Sequence, residues 1–329
     1  MPFSLIGRTK PMYGGHMRQQ ERMRLRTLAY VGILALGVGS WGACKKNTNI
    51  SIQEESLTKK IKHTCSKLRS LHKPFVVGSW ASGPGRDEKN QSFQTYTSID
   101  PIRPNKTLKS IYIQPLGPFS KVEDKLLRLT AEFVSLYFST PVKIRKGWPL
   151  SILPARAKRV HPSWGVKQIL TTYISKELLM KRRPKDAVAY IALTASDLWP
   201  GRGWNFVFGE AYIRKRVGVW SMARFGNPNK SPKSFRLALL RTLKTATHEI
   251  GHILSIDHCK AYQCNMGGSN SLTESDQQPL ALCPQCLAKV CWSTRCDVKK
   301  RFQQLAHFSK KHGLKTEADF FLRSLKQLK

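Results

Sequence analysis

One short pattern, HEIGH from His248 to His252 with a further His258, limits what this chain can fold into. On a helix, histidines four residues apart lie one turn apart, so both imidazoles can bind the same zinc ion. Glu249 lies beside the first histidine, where its carboxylate can bind the metal's water rather than the metal. A third histidine would leave the fourth zinc position for water, as a catalytic site requires. The pattern therefore predicts a long helix, a turn and a zinc site.

The helix that carries this pattern is predicted to begin at Ser231 and Pro232, because serine caps helix starts and proline is tolerated in the first turn. It should end near Leu254. At about 100° per residue, five apolar residues share one face of this helix: Leu239, Leu243, Ala246, Ile250 and Leu254. His248 and His252 lie on the opposite face, which favours a role as metal ligands over a role in the core.

The turn after this helix carries an unusual residue. A third histidine after a turn resembles the metzincin arrangement, in which glycine stands at the position of Ser255. Glycine tolerates the positive φ of a tight turn, whereas serine in that conformation costs about 1 kcal/mol. Metal binding can offset that cost, so His258 is the third candidate ligand. The alternative is a helix that runs on, so that His258 never reaches the site.

Six of the eight cysteines fall in the last quarter of the chain. Four of them form two close pairs, C-x4-C and then C-x2-C: Cys259, Cys264, Cys283 and Cys286. Two thiolate pairs at this spacing favour a structural zinc site, and two disulfides are the alternative. Cys291 and Cys296 are left over; they could pair, bind metal or be buried thiols, and we expect no function for them.

The stretch from His248 to Cys286 resembles the archaemetzincin family: HExxH, a third histidine followed at once by cysteine, then C-x-M and CxxC. Three flanking stretches agree with this resemblance: IYIQPLG, DLWPGRGWNFVFGEA and GGSNSLTESDQQPLALC. It extends over roughly Lys109 to Val290. Ser255 departs from the family glycine, which leaves full activity in question.

The resemblance implies a metzincin-like zinc peptidase domain with two zinc ions. The catalytic zinc would be held by three histidines: His248, His252 and His258. The structural zinc would be held by four cysteines: Cys259, Cys264, Cys283 and Cys286. Glu249 would be the general base, and Met266 would be the methionine that packs beneath the catalytic zinc in a turn. The family also implies an aminopeptidase or a small-peptide hydrolase.

The chain is strongly basic, with 56 Lys and Arg against 20 Asp and Glu and a formal charge of +36. Such a charge attracts anions, including nucleic acid and anionic lipid. No aromatic ladder or RNP-like run accompanies the basic residues, so we expect a solvated basic surface and no nucleic-acid partner.

The amino terminus has the order of an export signal. Basic residues from Arg18 to Arg26 precede an apolar run that ends in small residues and Cys44. This order faintly resembles a lipoprotein signal, although Trp41 stands where an aliphatic residue is usual. An uncleaved anchor or a buried helix is the alternative. An exported or membrane-anchored protein is favoured, and a cytoplasmic one is the alternative because thiolate zinc sites suit a reducing compartment.

The fold class is predicted as α/β (α+β mixed), with a mixed twisted sheet, an active-site helix, a C-terminal zinc knuckle and further helices. Four segments are expected: a signal or anchor over residues 1–44, a helix-and-loop extension over 45–105, the catalytic domain over 106–290 and a basic helical tail over 291–329. Within the extension, Pro74 to Lys106 reads as loop, as does Gly147 to Gly165 in the catalytic domain. Val166 to Met180 reads as a helix.

We therefore interpret the sequence as a monomeric zinc-dependent peptidase that acts on a peptide or protein substrate, with possible membrane association through its N-terminal segment. Two alternatives stay open. One is a catalytically degenerate zinc-binding protein on the same scaffold, which Ser255 motivates. The other is a basic anion-binding protein whose zinc is only structural.

Overall fold

A computed structural model of the chain describes residues 3–7, 44–78, 80–82 and 89–329. The expected signal or anchor segment lies almost entirely outside these residues. Within them, no helix is both long enough and apolar enough to cross a membrane.

The centre of the molecule is a mixed nine-stranded sheet in the order β3-β2-β6-β9-β8-β7-β5-β4, with β1 paired to β8. Its strands are β1 Phe3–Gly7, β2 Ser110–Leu116, β3 Val142–Ile144, β4 Lys158–Val160, β5 Lys167–Leu170, β6 Ala187–Thr194, β7 Asp197–Trp199, β8 Phe206–Tyr212 and β9 Val217–Ser221. β6 pairs in parallel with β2 and β9, whereas β8 pairs antiparallel with β9. The predicted mixed α/β class is confirmed.

Ten α-helices accompany the sheet in the described part of the chain. They are α1 Cys44–Ser66, α2 Phe93–Ser98, α3 Lys121–Phe138, α4 Thr171–Tyr173, α5 Met180–Arg182, α6 Pro232–Ile253, α7 Leu272–Gln277, α8 Pro284–Thr294, α9 Val298–Lys311 and α10 Lys315–Gln327. A π-helical segment, Ile174–Leu179, joins α4 to α5. Every residue of β6 is buried, as its continuous apolar run requires.

Two hydrophobic clusters fill the space on the two faces of the sheet. The larger one lies between the sheet and the helices α3 and α6, and it extends into α8, α9 and α10. The smaller one lies under the π-helical segment. This layering presses α6 against β8 and β9, so the helix with the HEIGH pattern crosses the sheet in the interior of the protein.

Three predictions of local structure were partly wrong, although the chain is helical from Thr171 to Met180 as expected. The expected helix over Val166 to Met180 begins as strand β5, because the buried Gln168 donates to Asp197 of the neighbouring β7 at 2.8 Å. The expected loop over Pro74 to Lys106 contains α2, which Ser92 caps by accepting from the Thr95 N–H. The other expected loop contains strand β4, which pairs with β5. β4 and β5 form a short hairpin, and β5 also pairs with β7 about thirty residues further along the chain.

Candidate metal centre

Helix α6 carries the HEIGH pattern in its last two turns. It starts as predicted, with Ser231 accepting from the Ser234 N–H and proline in the first turn. Every residue from Thr242 to Ile253 is buried, so the face opposite the apolar stripe is enclosed as well. His248 and His252 therefore face the interior of the protein and not the solvent.

The hydrogen bonds of the first two histidines define which nitrogen is available to a metal. Nδ1 of His248 donates to the Asn265 carbonyl at 2.7 Å, and Nδ1 of His252 donates to the Ile256 carbonyl at 2.7 Å. A carbonyl can only accept, so in the neutral form of each imidazole Nε2 carries a lone pair. The two Nε2 atoms are 2.9 Å apart. Two lone pairs at this distance repel unless a cation lies between them, so this donor pair fits a zinc ion.

The third histidine reaches the same place through a tight turn. Helix α6 ends at Ile253, and Ser255 takes the left-handed conformation with φ 69°. The ring of His258 then lies 4.5 Å from that of His252 and 5.4 Å from that of His248, measured between centroids. The ligand atoms of these three residues lie within 4.8 Å of one another. The alternative in which the helix runs on past Ser255 is wrong.

Burial sets the charge of these histidines. It lowers the pKa of His248 to about 4. It also lowers the pKa of His252, and the neighbouring histidines lower it further. Both imidazoles are therefore neutral near neutral pH, which is the form that binds zinc.

Glu249 is completely buried beside the histidines. Among the described residues, neither oxygen of its carboxyl group has a hydrogen-bond partner. Its side chain lies against Gly209 of β8, where a Cβ would come within 2.8 Å of Oε1. Burial raises the pKa of Glu249 well above its usual value, and the nearby Glu210 raises it further. A buried carboxylate with no hydrogen-bond partner among the described residues is a strong proton acceptor.

The four cysteines of the two pairs come together as a second candidate metal site. The sulfur atoms of Cys259, Cys264, Cys283 and Cys286 lie within 4.8 Å of one another, and all four are free thiols. Backbone N–H groups of Cys283 and Met266 donate to the Cys264 sulfur at 3.2 and 3.5 Å. Hydrogen bonds from the Cys264 and Cys283 thiols lower the pKa of Cys259. Four clustered sulfurs, one stabilised as thiolate, fit tetrahedral zinc.

The segment from Cys259 to Met266 contributes contacts to both candidate metal sites. The Cys259 N–H donates to the Met266 carbonyl at 2.8 Å, and the Asn265 carbonyl accepts from His248. Met266 is fully buried, and its side chain lies against Gly251, where a Cβ would collide with its sulfur. This places Met266 beside the histidines; its role beneath a bound zinc stays a prediction.

The two remaining cysteines also lie together. The sulfurs of Cys291 and Cys296 are 2.6 Å apart, and both are free thiols. Cys291 is buried in α8, whereas Cys296 lies beyond the end of that helix and is partly exposed. Neither belongs to the two clusters of candidate ligands.

Sequence reasoning missed several residues that contact the site. Gly209 lies against Glu249, and Trp80 packs on His258 with ring centroids 4.6 Å apart. Gln91 donates to the carbonyl of Ser255 at 3.0 Å. Gly209 stands in the stretch FVFGEA, where a glycine inside a strand signals a close approach. Trp80 and Gln91 lie in a stretch that reads as loop, so no local signal points to them.

Comparison with known proteins gives a consistent set of matches. The model of peptidase family M54 matches residues 180–291. Archaemetzincin-2 of Homo sapiens is 32% identical over 271 residues, which cover 73% of each chain. The archaemetzincin of Thermococcus kodakarensis is 32% identical over 192 residues, covering 56% of this chain and 96% of that one. The crystal structure of an archaemetzincin from Methanopyrus kandleri aligns with a TM-score of 0.47 and 26% identity, over 59% of this chain and 99% of that one.

Proposed function

The chain belongs to the archaemetzincin family of zinc-dependent metallopeptidases, and we propose that His248, His252 and His258 hold its catalytic zinc while Glu249 is the general base. One observation carries the proposal: three buried histidine ligand atoms within 4.8 Å of one another lie beside a buried carboxylate that has no hydrogen-bond partner among the described residues. A histidine cluster with only a structural role would not need a buried carboxylate beside it.

Zinc bound by these histidines would lower the pKa of a water molecule to about 7 and polarise the carbonyl of the scissile peptide bond. Glu249 would take a proton from the attacking water at a carboxylate oxygen. As the C–N bond breaks, the same oxygen would return that proton to the departing amine nitrogen, which balances the hydrolysis. The hydrogen bonds from Nδ1 of His248 and His252 would hold both rings in orientation throughout.

The four cysteines of the second cluster would hold a structural zinc, which makes two ions per chain. We further propose that the substrate is a peptide or protein cleaved from its amino terminus, an aminopeptidase action supported by the family resemblance. The protein is proposed to be a monomer that is exported or membrane-anchored through its N-terminal segment.

The first experiment is elemental analysis of the purified full-length protein, with about two zinc ions per chain expected. Glu249→Gln should keep both zinc ions and lose peptide hydrolysis, because the amide cannot accept the proton. Glu132→Gln, an exposed change on α3, is the matched control and should leave both unchanged. Hydrolysis that survives in Glu249→Gln would rule out Glu249 as the base.

A second assay addresses the mode of cleavage. Peptides that differ only in a free or an acetylated amino terminus should be cleaved at very different rates by an aminopeptidase. Equal rates for the two peptides would indicate an endopeptidase and contradict the proposed aminopeptidase action. Two zinc ions with no Glu249-dependent hydrolysis would instead favour the degenerate zinc-binding protein that Ser255 motivates.

A further inference from the structure

We propose that residues 89–103, here called the N-terminal clamp, hold the turn between His252 and His258, with Gln91 and Ser255 as positioning residues for the third histidine. The inference rests on the proposed zinc site at the histidines. It assigns a role to a stretch that lies outside the matched family model, residues 180–291. It also gives a reason for serine at the position of the family glycine.

Ser255 is bound to the clamp on two sides. Its Oγ accepts from the Ile102 N–H at 3.2 Å, and its carbonyl accepts from Nε2 of Gln91 at 3.0 Å. A glycine would keep the second bond and lose the first, because it has no hydroxyl. At φ 69° serine is more strained than glycine would be, but it makes a hydrogen bond to the clamp that glycine cannot make.

Gln91 connects the turn to the helix of the cysteine site. Its Oε1 accepts from the Asp257 N–H at 3.3 Å and from Nζ of Lys289 at 3.0 Å, and its carbonyl accepts from the same Nζ at 2.6 Å. Both of those groups can only donate, which fixes the orientation of the amide. Lys289 is buried in α8, the helix that also carries Cys286. Gln91 itself is buried, so its contacts are shielded from water.

Other residues of the clamp bind the turn on both sides of Ser255. The hydroxyl of Tyr96 donates to the Leu254 carbonyl at 2.8 Å, and Oδ1 of Asn90 accepts from the Lys260 N–H at 3.1 Å. Carbonyls at the end of a helix have no partner within the helix, so the clamp supplies the partners that α6 lacks. The clamp thus holds the backbone from Leu254 to Lys260, and His258 lies inside that span.

Loss of the clamp contacts should weaken metal binding at the histidine site in particular. Without the clamp, the strained turn can relax and move His258 away from the other two histidines. The metal would then leave the histidine site faster. Cys259 also lies in the held span, but its N–H donates to the Met266 carbonyl at 2.8 Å and its sulfur lies among three other thiols, so the four cysteines would keep their metal. A merely structural clamp would instead change the stability of the whole protein and leave the relative release from the two sites unchanged.

Gln91→Glu is the sharpest variant, because the carboxylate is isosteric and keeps both acceptor contacts to Asp257 and Lys289. It loses only the donation to the Ser255 carbonyl and places a negative charge against that oxygen. Gln94→Glu is the matched control, because Gln94 is exposed three residues further along the same segment.

The probe is cobalt(II) loaded into the full-length protein in place of zinc, and the readout is its transfer to a chelator. The thiolate-to-cobalt charge-transfer band follows the cysteine site, and total release minus that fraction follows the histidine site. We expect Gln91→Glu to release cobalt from the histidine site about tenfold faster than Gln94→Glu, with the cysteine site unchanged. Equal rates in the two variants would overturn the clamp.

Ser255→Ala tests the serine separately, because alanine keeps the strained Cβ and loses only Oγ. Release from the histidine site should be several-fold faster than in the unsubstituted protein. An unchanged rate would mean that the hydrogen bond between Ser255 Oγ and the Ile102 N–H does not help to position His258. Neither measurement depends on peptide cleavage, so a protein that releases metal as expected but hydrolyses nothing would support the clamp and refute only the proposed catalysis.

Discussion

Gly209 of β8 and Glu249 of α6 are in direct contact: a Cβ on Gly209 would lie 2.8 Å from Oε1 and 3.0 Å from Cδ of the glutamate. A glycine inside a strand often marks such a close approach. The backbone of β8 is therefore the surface on which the proposed general base rests. The position of the carboxylate depends on the sheet as much as on its own helix.

Gly209→Ala should displace the carboxylate of Glu249 and lower kcat by about 10–100-fold, because a shift of about 1 Å at a reacting group costs that much. Zinc content should not change, since the three atoms nearest to a Cβ on Gly209 all belong to Glu249. Steady-state kinetics and elemental analysis on the same preparation would test both statements. Gly147→Ala is the control, because a Cβ there would meet only ordinary contacts of 3.6 Å or more. An unchanged kcat would mean that Gly209 does not determine the catalytic position of the Glu249 carboxylate.

Gly251 and Met266 form a second close pair, in which the methionine side chain lies against the glycine between the two helical histidines. Gly251→Ala should lower the free energy of unfolding by about 1–3 kcal/mol, because the added methyl group overpacks a buried contact. Met266→Ala should lower it by about 2–5 kcal/mol through the cavity that it leaves.

The double variant tests whether these two effects share one contact. Removing the Met266 side chain makes room for the new methyl group, so the double variant should be less destabilised than the sum of the single variants. Denaturant unfolding of all four proteins measures the coupling. Strict additivity would contradict the contact.

Cys283→Ser should loosen metal at both sites. It removes one thiolate from the cysteine cluster, and the segment from Cys259 to Met266 that this cluster anchors also supplies the carbonyl that orients His248. Competition with a chelator should show weaker zinc binding by the histidines as well as by the cysteines. Cys296→Ser lies outside the cluster and serves as the control. Unchanged affinity of the histidine site would mean that the two sites are independent.

The candidate site was more predictable from the sequence than its surroundings. Histidines four residues apart on a helix lie on the same face, which the sequence alone shows. The turn at Ser255 was predicted because His258 can reach the other two histidines only if the helix ends before it. In contrast, Gln91 lies 164 residues from Ser255 in the chain, and nothing local links them. Strand β5 was mistaken for a helix because its four residues gain their conformation from pairing with β4 and β7. Contacts between distant segments have no periodicity to detect.

His72 should make the stability of the protein depend on pH. Its ring packs against Phe320 and Tyr262, with centroids 5.2 and 6.1 Å apart, and burial lowers its pKa from the usual 6.5 to about 4. Above pH 6.5 the ring is neutral in both the folded and the unfolded state, so it contributes no pH dependence. As the pH falls from 6.5 towards 4, only the unfolded state gains the proton, and stability is lost over that interval.

His72→Phe should remove this loss, because phenylalanine keeps the ring contacts and cannot be protonated. Relative to its value at about pH 8, the free energy of unfolding at about pH 5 should fall by about 1–2 kcal/mol more in the unsubstituted protein than in the variant. Urea unfolding of both proteins at each pH gives this difference, and changes in zinc binding that are common to both proteins cancel from it. The exposed His63, replaced in the same way, is the control. Parallel pH curves for His72→Phe and the unsubstituted protein would show that His72 titrates alike in the folded and unfolded states.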